Sequence, residues 1–184
     1  MDAVVRRVTV IGTGYLGATH AACMAELGYE VLGMDVDAEK VAALSEGRIT
    51  FHEPGLPELL GAQVAAGRLR FTTSYAEVAA FGAEQDGQAV HFICVNTPQR
   101  KGEYAADLSY IEAVVDGLGP HLTGSALIVN KSTSPAGTAV RLTERFAAVT
   151  APGVDVEIAS NPEFLREGHA VQDTLRPDRL VCGV

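Results

Sequence analysis

An α/β fold, with a mostly parallel sheet covered by helices on both faces, is predicted by three observations on this 184-residue chain. Short apolar, β-branched runs alternate with helical patterns. A glycine-rich turn joins the first run to the first helix. Polar residues gather where the apolar runs stop. Arg7–Ile11 is the first strand, and Tyr15–Leu27 the first helix, stopped by Gly28. Glu30–Met34 is the second strand, and Asp37 caps a helix over Ala38–Ser45. Glu53-Pro54-Gly55-Leu56 is a turn opening a short helix, Pro57–Ala66. A short strand, Leu69–Phe71, and a short helix, Tyr75–Ala80, follow. Ala89–Cys94 is a strongly apolar strand ending at Val95-Asn96-Thr97-Pro98. A polar loop, Gln99–Ala106, leads to a helix over Leu108–Leu118 with Asp107 near its cap. The strand Ala126–Val129 ends at Asn130-Lys131-Ser132-Thr133 and precedes a helix over Ala136–Ala148. Val154–Ala159 is a strand running into Ser160-Asn161-Pro162-Glu163, and Arg179–Val184 is predicted as a last strand.

Composition narrows the function. Apolar residues make up 47% of the chain, enough for one large domain. A formal net charge of −9 disfavours nucleic acid or an anionic membrane as partner. No apolar run is long enough to span a bilayer, and the chain enters its first strand without a signal peptide, so a cytoplasmic protein is expected. Cys23, Cys94 and Cys182 have neither the number nor the spacing of a disulfide framework or zinc site, and are read as small buried hydrophobes. His20, His52, His91, His121 and His169 are scattered, so no metal site is expected.

The first turn carries the chemistry. Gly12, Gly14 and Gly17 form a complete G-x-G-x-x-G between strand and helix, and Asp35 ends the next strand. Gly12 permits the tight turn, Gly14 lets a pyrophosphate approach the backbone, and Gly17 lets the helix pack close to the sheet. The helix N-terminus offers free N–H groups and a positive dipole end to phosphates. Asp35 can accept from a ribose diol and would repel a 2′-phosphate, so NAD is expected rather than NADP. The fold is thus read as a Rossmann-type doubly wound sheet. Its candidate residues stand at strand carboxyl ends: Gly12–Gly17, Asp35, Thr97, Thr133 and Glu163.

Five stretches extend this reading: VTVIGTGYLG (Val8–Gly17), HEPGLPELL (His52–Leu60), VNTPQ (Val95–Gln99) with ADLSYI (Ala106–Ile111), NKSTSPAGT (Asn130–Thr138), and SNPEFLREG (Ser160–Gly168) leading to RPDRLVCG (Arg176–Gly183). Together, and in this order, they resemble the nucleotide-sugar dehydrogenase (UDP-glucose/GDP-mannose dehydrogenase) family over essentially the whole chain. The resemblance implies that residues 1–184 are an NAD-binding domain, with the family's central helix and C-terminal nucleotide-sugar domain absent from this chain. It implies oxidation of the C6 alcohol of a nucleotide sugar with two NAD, through a cysteine thiohemiacetal and thioester, in a homodimer or higher homo-oligomer. The nucleophilic cysteine of the family's Gly-Cys-Phe-Gly-Gly motif has no counterpart here, so this chain alone is expected to be inactive. The UDP-glucose branch is expected from EPGL and EFLREG. The GDP-mannose and UDP-N-acetyl-mannosamine branches share this half. A β-hydroxyacid dehydrogenase relative would not show NPEFLREG, and a non-catalytic NAD-binding paralogue would lack the cysteine motif.

The resemblance also assigns residues. Gly12, Gly14, Tyr15, Leu16 and Gly17 match the phosphate turn, Asp35 the ribose-binding acid, and Lys40 a basic residue on the adenosine side. The bland reading of Lys40 is a solvated helix lysine. Thr97 matches a threonine near the cofactor, although the family often has Gly where Asn96 stands. Thr133 matches a threonine that contacts NAD and positions a catalytic water. Glu163 matches the base of thioester hydrolysis, and Glu167 a residue near both cofactor and sugar. Phe164, Leu165 and Arg166 match a stretch lining the substrate pocket. If this segment were helical, the spacing of Glu163 and Glu167 would put both on one side.

Overall fold

Val8 and Val10 face one side of the first strand and Thr9 and Ile11 the other, and all four are buried. Burial on both sides is the mark of a strand in a parallel sheet covered by helices. The computed structural model describes residues 6–85 and 87–184. Six strands form one parallel sheet: β1 (Arg7–Ile11), β2 (Glu30–Met34), β3 (Leu69–Thr72), β4 (Ala89–Ile93), β5 (Ala126–Asn130) and β6 (Val156–Ser160). Their order is β3-β2-β1-β4-β5-β6, the doubly wound Rossmann arrangement. The chain leaves β1 for β2 on one side and reaches β4 on the other, so a crevice opens at the carboxyl ends of β1 and β4.

The helices are α1 (Tyr15–Glu26), α2 (Ala38–Ser45), α3 (Leu56–Ala65), α4 (Tyr75–Ala83), α5 (Ser109–Leu118), α6 (Thr138–Val149) and α7 (Ala170–Leu175). On one face Ala18, Ala21, Ala22 and Ala25 of α1 are buried with Leu44, Leu56 and Leu60 against Val8, Val10 and Val31. The small side chains let the α1 backbone lie close to the sheet. On the other face Val78 and Phe81 of α4, Ile111, Val115 and Leu118 of α5, and Leu142 and Phe146 of α6 pack against Ile11, Ile93 and Ile128. Both helix sets repeat apolar residues at three- and four-residue spacing, as an amphipathic helix requires.

Four expectations need correction. Arg179–Val184 forms no strand: it touches the sheet at one antiparallel bridge, Ser160 with Gly183, through two 2.8 Å bonds. Leu180 and Val184 remain exposed, so the apolar run has no neighbour to extend a ladder with. The Glu163–Glu167 segment is not helical. Pro162 disfavours helix at Asn161, Gly168 turns left-handed (φ +84°), and the helix begins only at Ala170. Cys182 is exposed, whereas Cys23 and Cys94 are buried. Helix α6 starts at Thr138, not Ala136, because Gly137 takes a left-handed conformation at its N-cap (φ +85°).

Candidate functional site

The glycines of the first turn divide by what surrounds them. Gly12 has φ +89°, and a Cβ there would lie 2.8–2.9 Å from Val95 and Cys94 atoms. A Cβ on Gly17 would sit 1.7 Å from the Gly12 carbonyl oxygen, so α1 rests directly on the turn. Gly14, the N-cap of α1, has extended backbone, and nothing lies within 4 Å of where its Cβ would be. The protein's own packing requires Gly12 and Gly17 to be bare. Gly14 faces open space, so its bare backbone is open to close approach by a ligand. No side chain caps this end of α1, which leaves its first-turn amides to a ligand.

That open space belongs to a cleft of about 570 Å³ at the sheet's reversal point. Gly12, Gly14, Asp35, Lys40, Thr97 and Pro98 line it, together with Tyr75 and Tyr110. Asp35 ends β2 nearly buried. Its Oδ2 accepts from the Thr13 amide (2.9 Å), the Thr13 hydroxyl (3.2 Å) and the Lys40 ammonium (2.9 Å), and its Oδ1 from the Asp37 amide (3.1 Å). Burial would raise its pKa, but the Lys40, Thr13 and Asp37 donors outweigh burial and hold it below the usual carboxylate range. Lys40 is thus not a solvated lysine: α2, capped by Asp37, presents it to Asp35.

The remaining predicted residues separate. Thr97 Oγ1 donates to the Thr133 carbonyl (2.7 Å), tying the end of β4 to the loop after β5. Thr133 itself is exposed and lines a shallow pocket beside Gly137 and Pro162. Glu163, Phe164, Leu165 and Arg166 line a second cavity of about 530 Å³, and the Leu16 side chain faces it rather than the cofactor cleft. Glu163 is half-buried and accepts from the Leu165 amide (2.6 Å). Arg166 makes a two-bond contact with Asp173 (3.0 and 2.7 Å), and Arg179 stacks 4.7 Å over the Phe164 ring. Glu167 is exposed. The Tyr15 hydroxyl points away from the cleft and donates to Glu53 (2.5 Å).

Several polar residues here were not singled out by sequence reasoning. Lys131 is buried, with its ammonium donating to Asn161 Oδ1 (2.9 Å). Burial lowers its pKa, against the opposing pull of nearby Cys94 and Glu163. His20 stands edge-on to Phe92 in the second cavity, pushed down to about 3 by burial and then by Lys131. Lys131 and Asn161 sit at strand carboxyl ends, a position that could have flagged them. Tyr75, Tyr110 and His20 carry no such signal. Among the described residues, no cluster of three or more His, Cys, Asp or Glu suits a metal, and no helix is long and apolar enough to cross a membrane.

Residues 6–184 match the UDP-glucose/GDP-mannose dehydrogenase family, NAD binding domain. The UDP-glucose 6-dehydrogenase of Rhizobium meliloti is 43% identical over 178 residues, which is 97% of this chain and 39% of that protein. A UDP-glucose dehydrogenase structure from Pyrobaculum islandicum superposes with a TM-score of 0.88 at 41% identity, over 99% of this chain and 41% of that one. The GDP-mannose dehydrogenase of Pseudomonas aeruginosa, solved as a ternary complex, gives 0.82 at 35% identity, over 97% and 40%. The chain thus spans about two fifths of the length of such relatives. A bare Gly14 over an open cleft, an acid ending β2, and a family match across nearly every residue agree, and the chain belongs to the UDP-glucose/GDP-mannose dehydrogenase family through its NAD binding domain.

Proposed function

We propose that these 184 residues are the cofactor-binding half of a cytoplasmic nucleotide-sugar dehydrogenase that oxidises the C6 alcohol of UDP-glucose to the carboxylate of UDP-glucuronate. The observation that carries this reading is the cleft at the sheet's reversal point, with bare Gly14 on one side and Asp35 on the other. NAD, when bound, supplies the hydride acceptor for each of the two oxidations. The first-turn amides of α1 hold the pyrophosphate, and Asp35 accepts from the adenosine ribose while Lys40 fixes its orientation. Thr97, whose hydroxyl donates to the Thr133 carbonyl, and Thr133 itself would serve the nicotinamide end, with Thr133 orienting a water. Glu163 acts as base toward the water that hydrolyses the thioester, with Glu167 between cofactor and sugar. Phe164, Leu165 and Arg166 line the sugar side. The nucleotide sugar is held jointly with a C-terminal half, in a homodimer or higher homo-oligomer. The likeness to the GDP-mannose dehydrogenase structure favours GDP-mannose as the second reading.

Calorimetric titration of this chain tests the cofactor site. NAD should bind more tightly than NADP, and equal or tighter NADP binding would overturn the role of Asp35. Asp35→Ala should weaken NAD binding by about 1.5–3 kcal/mol. No NADH should accrue from UDP-glucose with this chain alone, and steady production would refute the division of labour. In a full-length protein, Glu163→Gln should trap a covalent acyl-enzyme visible by intact-mass spectrometry. Ordinary turnover without the adduct would remove Glu163 from the hydrolysis.

A further inference from the structure

Glu53 is only 1% exposed, yet its partners are neutral donors rather than cations. A carboxylate taken out of water is costly unless hydrogen bonds replace its hydration. Here they do. Tyr15, first residue of α1, donates its hydroxyl to Oε2. The Gly168 amide donates to the same oxygen at 2.8 Å, and the Ala170 amide to Oε1 at 2.8 Å. Burial would raise the Glu53 pKa, but these donors outweigh burial and hold it below the usual range. Tyr15 responds in kind: burial, and then the bond to an ionised Glu53, push its hydroxyl up to about 12.

The local sequence aims this carboxylate inward. Pro54 restricts Glu53 to extended backbone, and Gly55 turns left-handed (φ +78°) to start α3. The Glu53 side chain then does for α7 what α7 does not do for itself. His169, the N-cap of α7, makes no side-chain cap, and Glu53 caps that helix from more than a hundred residues away. One carboxylate therefore ties the start of the phosphate-facing helix to the segment bearing Glu163 and Glu167. Neither a helix nor a strand holds residues 161–168.

We infer that Glu53 is a positioning residue of the cofactor site, a latch through which occupancy of the Gly12–Gly17 turn orders the Glu163–Gly168 segment. This rests on the NAD reading above. Three versions of the chain test it: unaltered, Tyr15→Phe and Glu53→Gln. Each is titrated with NAD by calorimetry and followed by hydrogen–deuterium exchange at residues 163–170, with and without NAD. In the unaltered chain NAD should slow exchange in that segment by about tenfold or more, the scale of one charge-assisted bond. Tyr15→Phe leaves both amide bonds to Glu53 in place. Compared at saturating NAD, it should lose most of the slowing. Glu53→Gln should raise exchange at Gly168 and Ala170 without NAD. It should also lower the Tyr15 hydroxyl, pushed up to about 12, by only part of its rise, because burial, the larger cause, remains; spectrophotometric titration reads the change.

Equal slowing in the unaltered and Tyr15→Phe chains, no slowing in the unaltered chain on binding NAD, or an unmoved tyrosine in Glu53→Gln would each overturn the latch while leaving the cofactor reading intact. Failure of the unaltered chain to bind NAD would overturn the cofactor reading and the coupling with it. If Glu53→Gln does not fold, Tyr15→Phe alone decides the matter.

Discussion

The cofactor cleft and the Glu163–Gly168 segment lie on neighbouring parts of one sheet edge but are built by opposite means. The cleft is made from ends of regular elements. β1 stops at Ile11, α1 starts at Tyr15, and Asp35 follows β2 directly. Its polar contacts join residues close in sequence, such as Asp35 to Lys40, or on adjacent strands, such as Thr13 to Asp35. The segment after β6 has no backbone ladder. Side chains hold it: Arg166 to Asp173, Asn161 to Lys131, and Glu53 from the turn before α3. A site on element ends inherits the stiffness of the sheet. A site hung on side-chain bonds is as rigid as the residues that reach it, and can therefore respond to them.

The sharpest way to break this contrast is Gly17→Ala. A Cβ 1.7 Å from the Gly12 oxygen forces α1 away from the turn. We expect a loss of about 3 kcal/mol in urea unfolding, the upper range for an overpacked site, together with loss of NAD binding. A variant of unchanged stability would show that the turn is softer than the contrast requires.

Acid should next separate the two regions. His20 and His91 are buried and neutral, pushed down to about 3 and about 4 by burial. The unfolded chain binds their protons near the ordinary 6.5, so stability is full above that value and falls as pH drops toward 4. At pH 5 each should cost about 2 kcal/mol. Asp35, held below its usual 3.8, keeps its charge across this window. Urea unfolding at pH 7 and pH 5 measures the loss, and His20→Gln should remove about half of it. A stability flat between those values would contradict the buried neutral histidines.

Gly14→Ala tests the same cleft with the fold left alone. The backbone at Gly14 (φ −71°) suits alanine and its Cβ meets nothing, so stability should hold or rise by up to about 1 kcal/mol. NAD affinity should nevertheless fall by at least about tenfold, because the methyl occupies the pyrophosphate's approach. Undiminished binding would place the phosphates elsewhere. The smallest effect belongs to Arg166→Ala, whose side chain is largely exposed. Global stability should barely move, as for most surface pairs. The Asp173 carboxyl, held at about 2 by Arg166, should return toward 3.8 in a carboxylate NMR titration.

Local sequence determined much of this protein. The β1–α1 turn, Asp37 as cap of α2, and all six parallel strands were legible because apolar period, capping chemistry and glycine placement act within a few residues. The fates of Arg179–Val184, Cys182 and the Glu163–Glu167 segment were not legible in the same way. An apolar run becomes a strand only if a neighbour offers a ladder, and past Ser160 only Gly183 finds one. Tertiary structure alone decided that Tyr15 turns from the cleft to a buried Glu53, and that Glu53 caps α7. It alone brought Lys131 to Asn161 and set His20 in the wall of the second cavity. Those contacts join residues dozens to more than a hundred positions apart. Sequence periodicity reports which face of an element is apolar, whereas the pairing of buried polar groups is settled only when the elements pack and each donor must find an acceptor.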